Sequence, residues 1–128
     1  MQFYQLAIPA PKAPDSIYNK EAAERGMIVF NVKGKCASCH IPLYLQNQDG
    51  IRISHRILAL MIFSQTGHPD KTYVTQGLKG LWTHVKGGFY HDGRFTTLMD
   101  VVNHYNDFKK LTLTEAEKKD LVEYLKSL

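Results

Sequence analysis

Both cysteines of the chain lie in one short stretch, Gly34-Lys35-Cys36-Ala37-Ser38-Cys39-His40. Two thiols with two residues between them and an imidazole directly behind form C-x-x-C-H, the attachment pattern of a c-type haem. In that chemistry the sulfurs of Cys36 and Cys39 bond covalently to the porphyrin edge, and His40 gives its imidazole to the iron. Porphyrin and histidine together fill all but one iron position, and the remaining ligand largely decides what the iron does. Three other readings compete. A zinc site needs two further ligands, and there is no second cysteine pair; His84 and His91 fall outside the usual finger spacing. A thioredoxin-type pair needs a strand–helix context, whereas a helical pattern precedes Cys36. Chance would have to place every cysteine of the chain, and a histidine, in register. The expectation is one covalent haem c, anchored by Cys36 and Cys39, with His40 as proximal ligand.

Those residues need elements to hold them. Asn19 can cap a helix over residues 20–32, in which Ala23, Gly26, Met27 and Phe30 recur at i, i+3, i+4 and i+7 as one buried stripe. Gly26 on that stripe leaves room for a second helix to approach. The chain end offers one: Thr114 and Glu117 form a T-x-x-E capping box, and Leu121, Val122, Leu125 and Leu128 make the apolar face behind it. A helix before C-x-x-C-H and a helix at the chain end is the layout of class I cytochromes c. The expected fold is therefore mostly α and class I cytochrome c-like, with helices packed around one covalent haem and long Gly-rich loops. An extended, mobile arm over residues 1–18 carries Pro9, Pro11 and Pro14. Residues 19–128 form a single domain, loop-rich from the haem motif to residue 96 and punctuated by Gly67, Pro69, Gly77, Gly80, Gly87 and Gly88.

The bulk properties agree. A chain of 128 residues, 44% hydrophobic and 22% charged, suits one globular core. The longest apolar run, Ile57 to Phe63, is too short for a membrane span. There is no dense basic stripe with interleaved aromatics, which argues against nucleic acid. The net charge of +4 would fall to about +2 with two haem propionates, and this mild basicity points to an acidic redox protein as partner. The N-terminal residues do not read as a signal peptide. Covalent haem attachment implies export, so the expectation is a periplasmic protein whose leader has been removed.

Candidates for the sixth iron ligand are Met61, Met99, His55, His68, His84, His91, His104 and Tyr105. Thr97 can cap a helix running to about Asn106, in which Leu98, Val101, Val102 and Tyr105 share the buried face. Asp100 and His104 form an i, i+4 pair on a more polar side, and Met99 points off the central stripe. Tyr105 therefore faces inward better than Met99 or His104, although a tyrosine packed in the core would satisfy the same pattern.

The stretch Gly80-Leu81-Trp82, the block Tyr90-His91-Asp92-Gly93-Arg94, the segment Thr97-Leu98 to Val101-Val102 and the closing Tyr124-Leu125-Lys126-Ser127-Leu128 resemble the C-terminal haem domain of the bacterial di-haem cytochrome c peroxidases and their methylamine-utilisation relatives. The likeness covers about residues 20–45 and 72–128. It implies that Tyr105 stands where the electron-transfer haem of the peroxidases has its methionine and where the methylamine-utilisation relatives have an iron-bound tyrosine. It also implies that the His91-Asp92-Gly93 block lies near the haem, with His91 beside a propionate and Arg94 paired to one. The competing reading of that block is a turn held by Asp92 and Gly93, with Arg94 exposed. Two departures stand out. There is one C-x-x-C-H rather than two, so a single-haem chain cannot alone divide electron delivery from peroxide chemistry. The run Ile57 to Phe63 also replaces a usually polar segment; it reads as a short buried helix over the haem face, or as a subunit contact or gate. The expected function is one-electron transfer between larger redox proteins. The alternative is the haem subunit, or a mono-haem relative, of a peroxidase-type enzyme, with a Tyr-ligated or open distal site and another haem protein as partner.

Overall fold

The computed structural model describes residues 11–38, 40, 77–84, 86–90 and 92–128. Cys39, His91, Met61, His55, His68 and the run Ile57 to Phe63 lie outside the described residues. Among the described residues the chain is mostly helical: α1 (Lys20–Asn31), α2 (Leu98–Lys109) and α3 (Glu115–Ser127), with short 3-10 turns at Cys36–Ser38 and Leu81–Thr83. No helix among them is long and apolar enough to cross a membrane.

Asn19 starts α1 as its spacing predicts. Its side-chain oxygen accepts from the Ala22 N–H at 2.8 Å, satisfying one of the unpaired amides of the first turn. The Asn19 N–H in turn donates to Glu123 at 2.6 Å, which ties the start of α1 to α3. The buried face consists of Ala22, Ala23, Gly26, Val29 and Phe30. Met27, expected on that stripe, is instead 45% exposed. It sits one helical step past Gly26, about 100° round the axis, and α3 approaches so closely over Gly26 that the contact face is narrow.

The tight approach is measurable. A Cβ built on Gly26 would lie 2.6 Å from the Asp120 carbonyl carbon and 2.8 Å from the Tyr124 Cβ. Real Cβ atoms do not come that close, so only glycine permits this crossing. Ion pairs flank it. Arg25 donates to both Asp120 oxygens at 2.8 Å, and Lys33 donates to Glu117 at 2.7 and 2.9 Å. Positions rise along α1 as their partners fall along α3, so the helices cross with antiparallel sense. Exposed pairs of this kind add little stability.

Both predicted caps of the C-terminal half are present. Thr114 and Glu117 form a reciprocal capping box at α3. Thr97 caps α2, but with a partner not anticipated: Asp100 completes a second capping box. α2 also runs further than expected, to Lys109 rather than about Asn106. It ends where Lys110 takes a left-handed conformation, φ 52°. The Asn106 side chain, placed at the expected end, accepts from the Leu113 N–H at 2.9 Å and shapes the connection to α3.

One core joins the three helices: Val29, Phe30, Val102, Leu113, Leu121, Val122 and Leu125. Phe30, at 1% exposure, is its centre. Burying such a ring contributes about 1.5–3 kcal/mol. Of the face predicted for α2, Val102 is buried; Leu98, Val101 and Tyr105 are half-buried. Leu128 packs at the core edge, and its carbonyl accepts from the Gly80 N–H at 2.9 Å. That bond brings the loop before α2 against the end of the chain. The N-terminal arm is also held where it is described, because the Trp82 indole donates to the Pro11 carbonyl at 3.2 Å.

Candidate functional site

The cysteine–histidine motif begins where α1 ends. The Gly34 N–H bonds back to the Val29 carbonyl at 2.7 Å, closing the helix. Gly34 is buried; a Cβ there would stand 3.0 Å from the Val29 oxygen and 3.2 Å from the Cys36 sulfur. Lys35 then takes a left-handed φ of 51° and reverses the chain. Its carbonyl accepts from the Ser38 N–H at 3.2 Å and the Ser38 hydroxyl at 2.6 Å. The His40 N–H donates to the Cys36 carbonyl at 2.9 Å. That bond links the backbone at the two ends of the motif.

Both side chains stand at the edge of the core. Cys36 and Ala37 are half-buried and pack against the buried cluster. The Cys36 thiol approaches the Gly34 carbonyl at 3.5 Å. The half-buried His40 ring lies 6.4 Å from that of Phe30, tilted by 47°. Phe30 meets Tyr124 edge-on at 5.2 Å on another contact. Burial there pushes the Tyr124 phenol up from its ordinary pKa, keeping it neutral. The motif is thus braced by the α1–α3 crossing through Phe30.

A second group of side chains gathers on α2. Gly88 and Gly93 both take positive φ, and Phe89 and Phe95 pair as an antiparallel bridge. This loop delivers Tyr90 and Phe95 to the helix. The Tyr90 ring lies 5.2 Å from His104 and 6.3 Å from Tyr105, and Phe95 lies 5.0 Å from His104. Phe108 stacks on His104 at 6.0 Å, nearly parallel. Arg94 is exposed, pairs with Asp92 at 2.5 Å and lies over the Tyr90 ring at 5.3 Å. The Asp92–Arg94 turn anticipated as the simpler reading is therefore present.

Two expectations for α2 need correction. His104 does not stand on a polar side paired with Asp100; Asp100 is engaged with Thr97 and Thr96, whose hydrogen bonds hold its carboxyl below the ordinary range. The i, i+4 spacing of His104 and Phe108 was the signal that could have shown the aromatic contact. Met99 does not point away from the core: it packs on the same buried cluster as Cys36 and Ala37. His84 stacks on Phe89 at 5.4 Å.

Cys36, with half-buried Leu81, Leu98, Met99 and Leu111, packs against the same buried apolar cluster. Among the described residues no polar side chain is buried in that core.

No family model, curated protein or solved structure matches the chain.

Proposed function

We propose that the protein is an exported, periplasmic mono-haem c-type cytochrome that transfers single electrons between larger redox proteins. The observation that carries this reading is the turn from Cys36 to His40, closed by one amide–carbonyl bond and braced by Phe30 at the α1–α3 crossing. Cys36 and Cys39 would hold the haem through their sulfurs, and His40 would give its imidazole to the iron. Tyr105 would be the sixth ligand in this reading; Met61 is the runner-up, because it lies where the chain departs from the resembling family, and Met99 is a further rival because it packs on the cluster that Cys36 borders. A bound haem supplies an iron that takes up and releases one electron. The chain's own part is to fix the imidazole, exclude water with the Phe30 side of the core, and limit rearrangement between oxidation states. A phenolate at the sixth position would favour the oxidised iron, and a thioether the reduced. His91 and Arg94 are assigned to the haem edge, Arg94 as a propionate partner in exchange for Asp92.

Reductive and oxidative titration of the exported protein, followed by its absorption spectrum, tests the carrier role. Reversible one-electron cycling with no reaction toward hydrogen peroxide supports it. Rapid reaction with peroxide, or co-purification with a second haem protein, transfers the assignment to a peroxidase-type subunit.

A further inference from the structure

Tyr90 is held in a conformation that a bulky side chain rarely takes. Its φ is 77°, in the left-handed region where sterics favour glycine. Such outliers persist only when their surroundings over-determine them, and they gather at functional sites. The surroundings here do so. The Phe89 N–H donates to the Phe95 carbonyl at 2.7 Å and the reverse bond closes at 3.4 Å, so the chain is pinned on both sides of Tyr90. Asp92 accepts from the Arg94 side chain at 2.7 Å, and the guanidinium carbon lies 5.3 Å from the centre of the Tyr90 ring. The ring also meets Phe95, His104 and Tyr105 edge-on, at 5.5, 5.2 and 6.3 Å. A backbone set against its own preference thus delivers one tyrosine ring to another. His104 lies near Tyr105 as well, at 5.5 Å, but it is the preceding residue of α2 and moves with it. Tyr90 comes from a separate segment, so it can fix Tyr105 relative to the rest of the protein.

We infer that Tyr90 is a positioning residue: its ring confines the Tyr105 phenol to one rotamer and so presents it, already oriented, as the sixth iron ligand. The part that concerns iron rests on the proposed function. A helical side chain has about two or three staggered wells open to it. Where only one of them brings the ligand to the metal, the apparent binding constant falls by the fraction of time spent there. Confinement removes that loss, a gain of about two- to threefold in binding of the phenolate. The contacts that define this role are made by the ring, so phenylalanine should replace Tyr90 and alanine should not.

The test compares the full haem-bearing chain with Tyr90→Phe, Tyr90→Ala and Tyr90→Leu, the last keeping apolar bulk in case alanine unfolds the protein. Phe108→Ala removes a different ring, one stacked on His104. Electron paramagnetic resonance of the oxidised iron and the midpoint potential are the readouts. Wild type and Tyr90→Phe should give one iron species at one potential. Tyr90→Ala and Tyr90→Leu should give a second species, with the phenolate bound about threefold more weakly to the oxidised iron. The potential should then rise by about 30 mV, at about 59 mV per tenfold for one electron. Phe108→Ala should move neither readout. A ring that only staples the loop to α2 would lower the unfolding temperature when removed and leave both readouts in place, and that result overturns the inference. Equal effects of Phe108→Ala and Tyr90→Ala, or no rescue by Tyr90→Phe, overturn it too. An iron that responds to Tyr105→Phe but not to Tyr90→Ala defeats the inference and leaves the proposed function standing. An iron indifferent to Tyr105→Phe also overturns it, because there is then no ligand to position. If the purified chain carries no haem, the proposed function fails, and nuclear magnetic resonance of carbon-13-labelled tyrosine reads the brace by itself. One Tyr105 rotamer in wild type and Tyr90→Phe, with averaging in Tyr90→Ala, supports the brace; averaging in wild type, or no change in Tyr90→Ala, overturns it.

Discussion

Gly26 of α1 lies under the backbone of Asp120 in α3, so close that a Cβ at position 26 would stand 2.6 Å from the Asp120 carbonyl carbon. The atom in the way is main chain, which cannot rotate aside. Gly26→Ala is therefore expected to destabilise the protein by about 1–3 kcal/mol through overpacking, although alanine is the better helix former. Gly26→Val should be worse. Thermal unfolding of the two variants beside wild type checks this; a Gly26→Ala protein as stable as wild type would mean that the helices do not cross there.

Phe30 connects the crossing to the motif, touching Tyr124 on one contact and His40 on another. Phe30→Ala should cost about 3–5 kcal/mol, the usual range for an emptied aromatic site. Phe30→Leu should recover most of that. Denaturant titration measures both. In the haem-bearing protein Phe30→Ala should also disturb the spectrum of the iron, because His40 loses its support.

Among the described residues, Glu117 has the largest acid–base consequence. The hydrogen bonds from Lys33 and from the Thr114 N–H hold its pKa down to about 2, against an ordinary 4.5. A carboxylate with a depressed folded-state pKa contributes its stability fully above the unfolded value and loses it as pH falls through the folded one. Stability should therefore decline between about pH 4.5 and 2 in wild type. Glu117→Gln should flatten that part of the profile, because it no longer titrates. Unfolding free energy measured across this range decides the matter. Thr114→Ala, which removes the other half of the cap, should cost about 1 kcal/mol at neutral pH.

Tyr105 and Met99 make opposite claims on the sixth position. If the phenolate is the ligand, Tyr105→Phe changes the spin state of the oxidised iron and Met99→Leu does not. If the thioether is the ligand, a near-infrared band marks the oxidised protein, Met99→Leu abolishes it, and Tyr105→Phe leaves it intact. Near-infrared magnetic circular dichroism of the three proteins separates the cases. A spectrum indifferent to both substitutions would remove both residues from the iron.

Much of the framework was legible in the sequence because it depends on short-range rules. Asn19, Thr114 with Glu117, and Thr97 announced helix starts through side chains whose acceptors reach the first-turn amides. Gly26 announced the crossing because a glycine on an apolar stripe has few other uses. What escaped depended on partners distant in the chain. Met27 fits the apolar period as well as Val29 does, and the line of approach of α3 decides between them. His104 looked polar because its aromatic neighbours Tyr90 and Phe95 arrive from a loop. Asp100 was read as a partner for His104, although a T-x-x-D spacing also offers a capping box. The Cys36–Cys39–His40 motif was visible from residue type and spacing, but not the bond between the Cys36 carbonyl and the His40 N–H that links its ends. Its contact with Phe30 depends on tertiary packing.

Haem bonded to Cys36 and Cys39 would show directly in the intact mass of the protein under denaturing conditions. Expression is in a host with the haem-attachment machinery, beside Cys36→Ala, Cys39→Ala and His40→Ala. Wild type is expected to be heavier than its polypeptide by one haem, with the visible spectrum of a c-type haem. The double cysteine variant should keep the mass of the bare chain, and His40→Ala should lose the native iron spectrum. A wild-type protein that emerges at the bare polypeptide mass, folded and colourless under those conditions, would contradict the account.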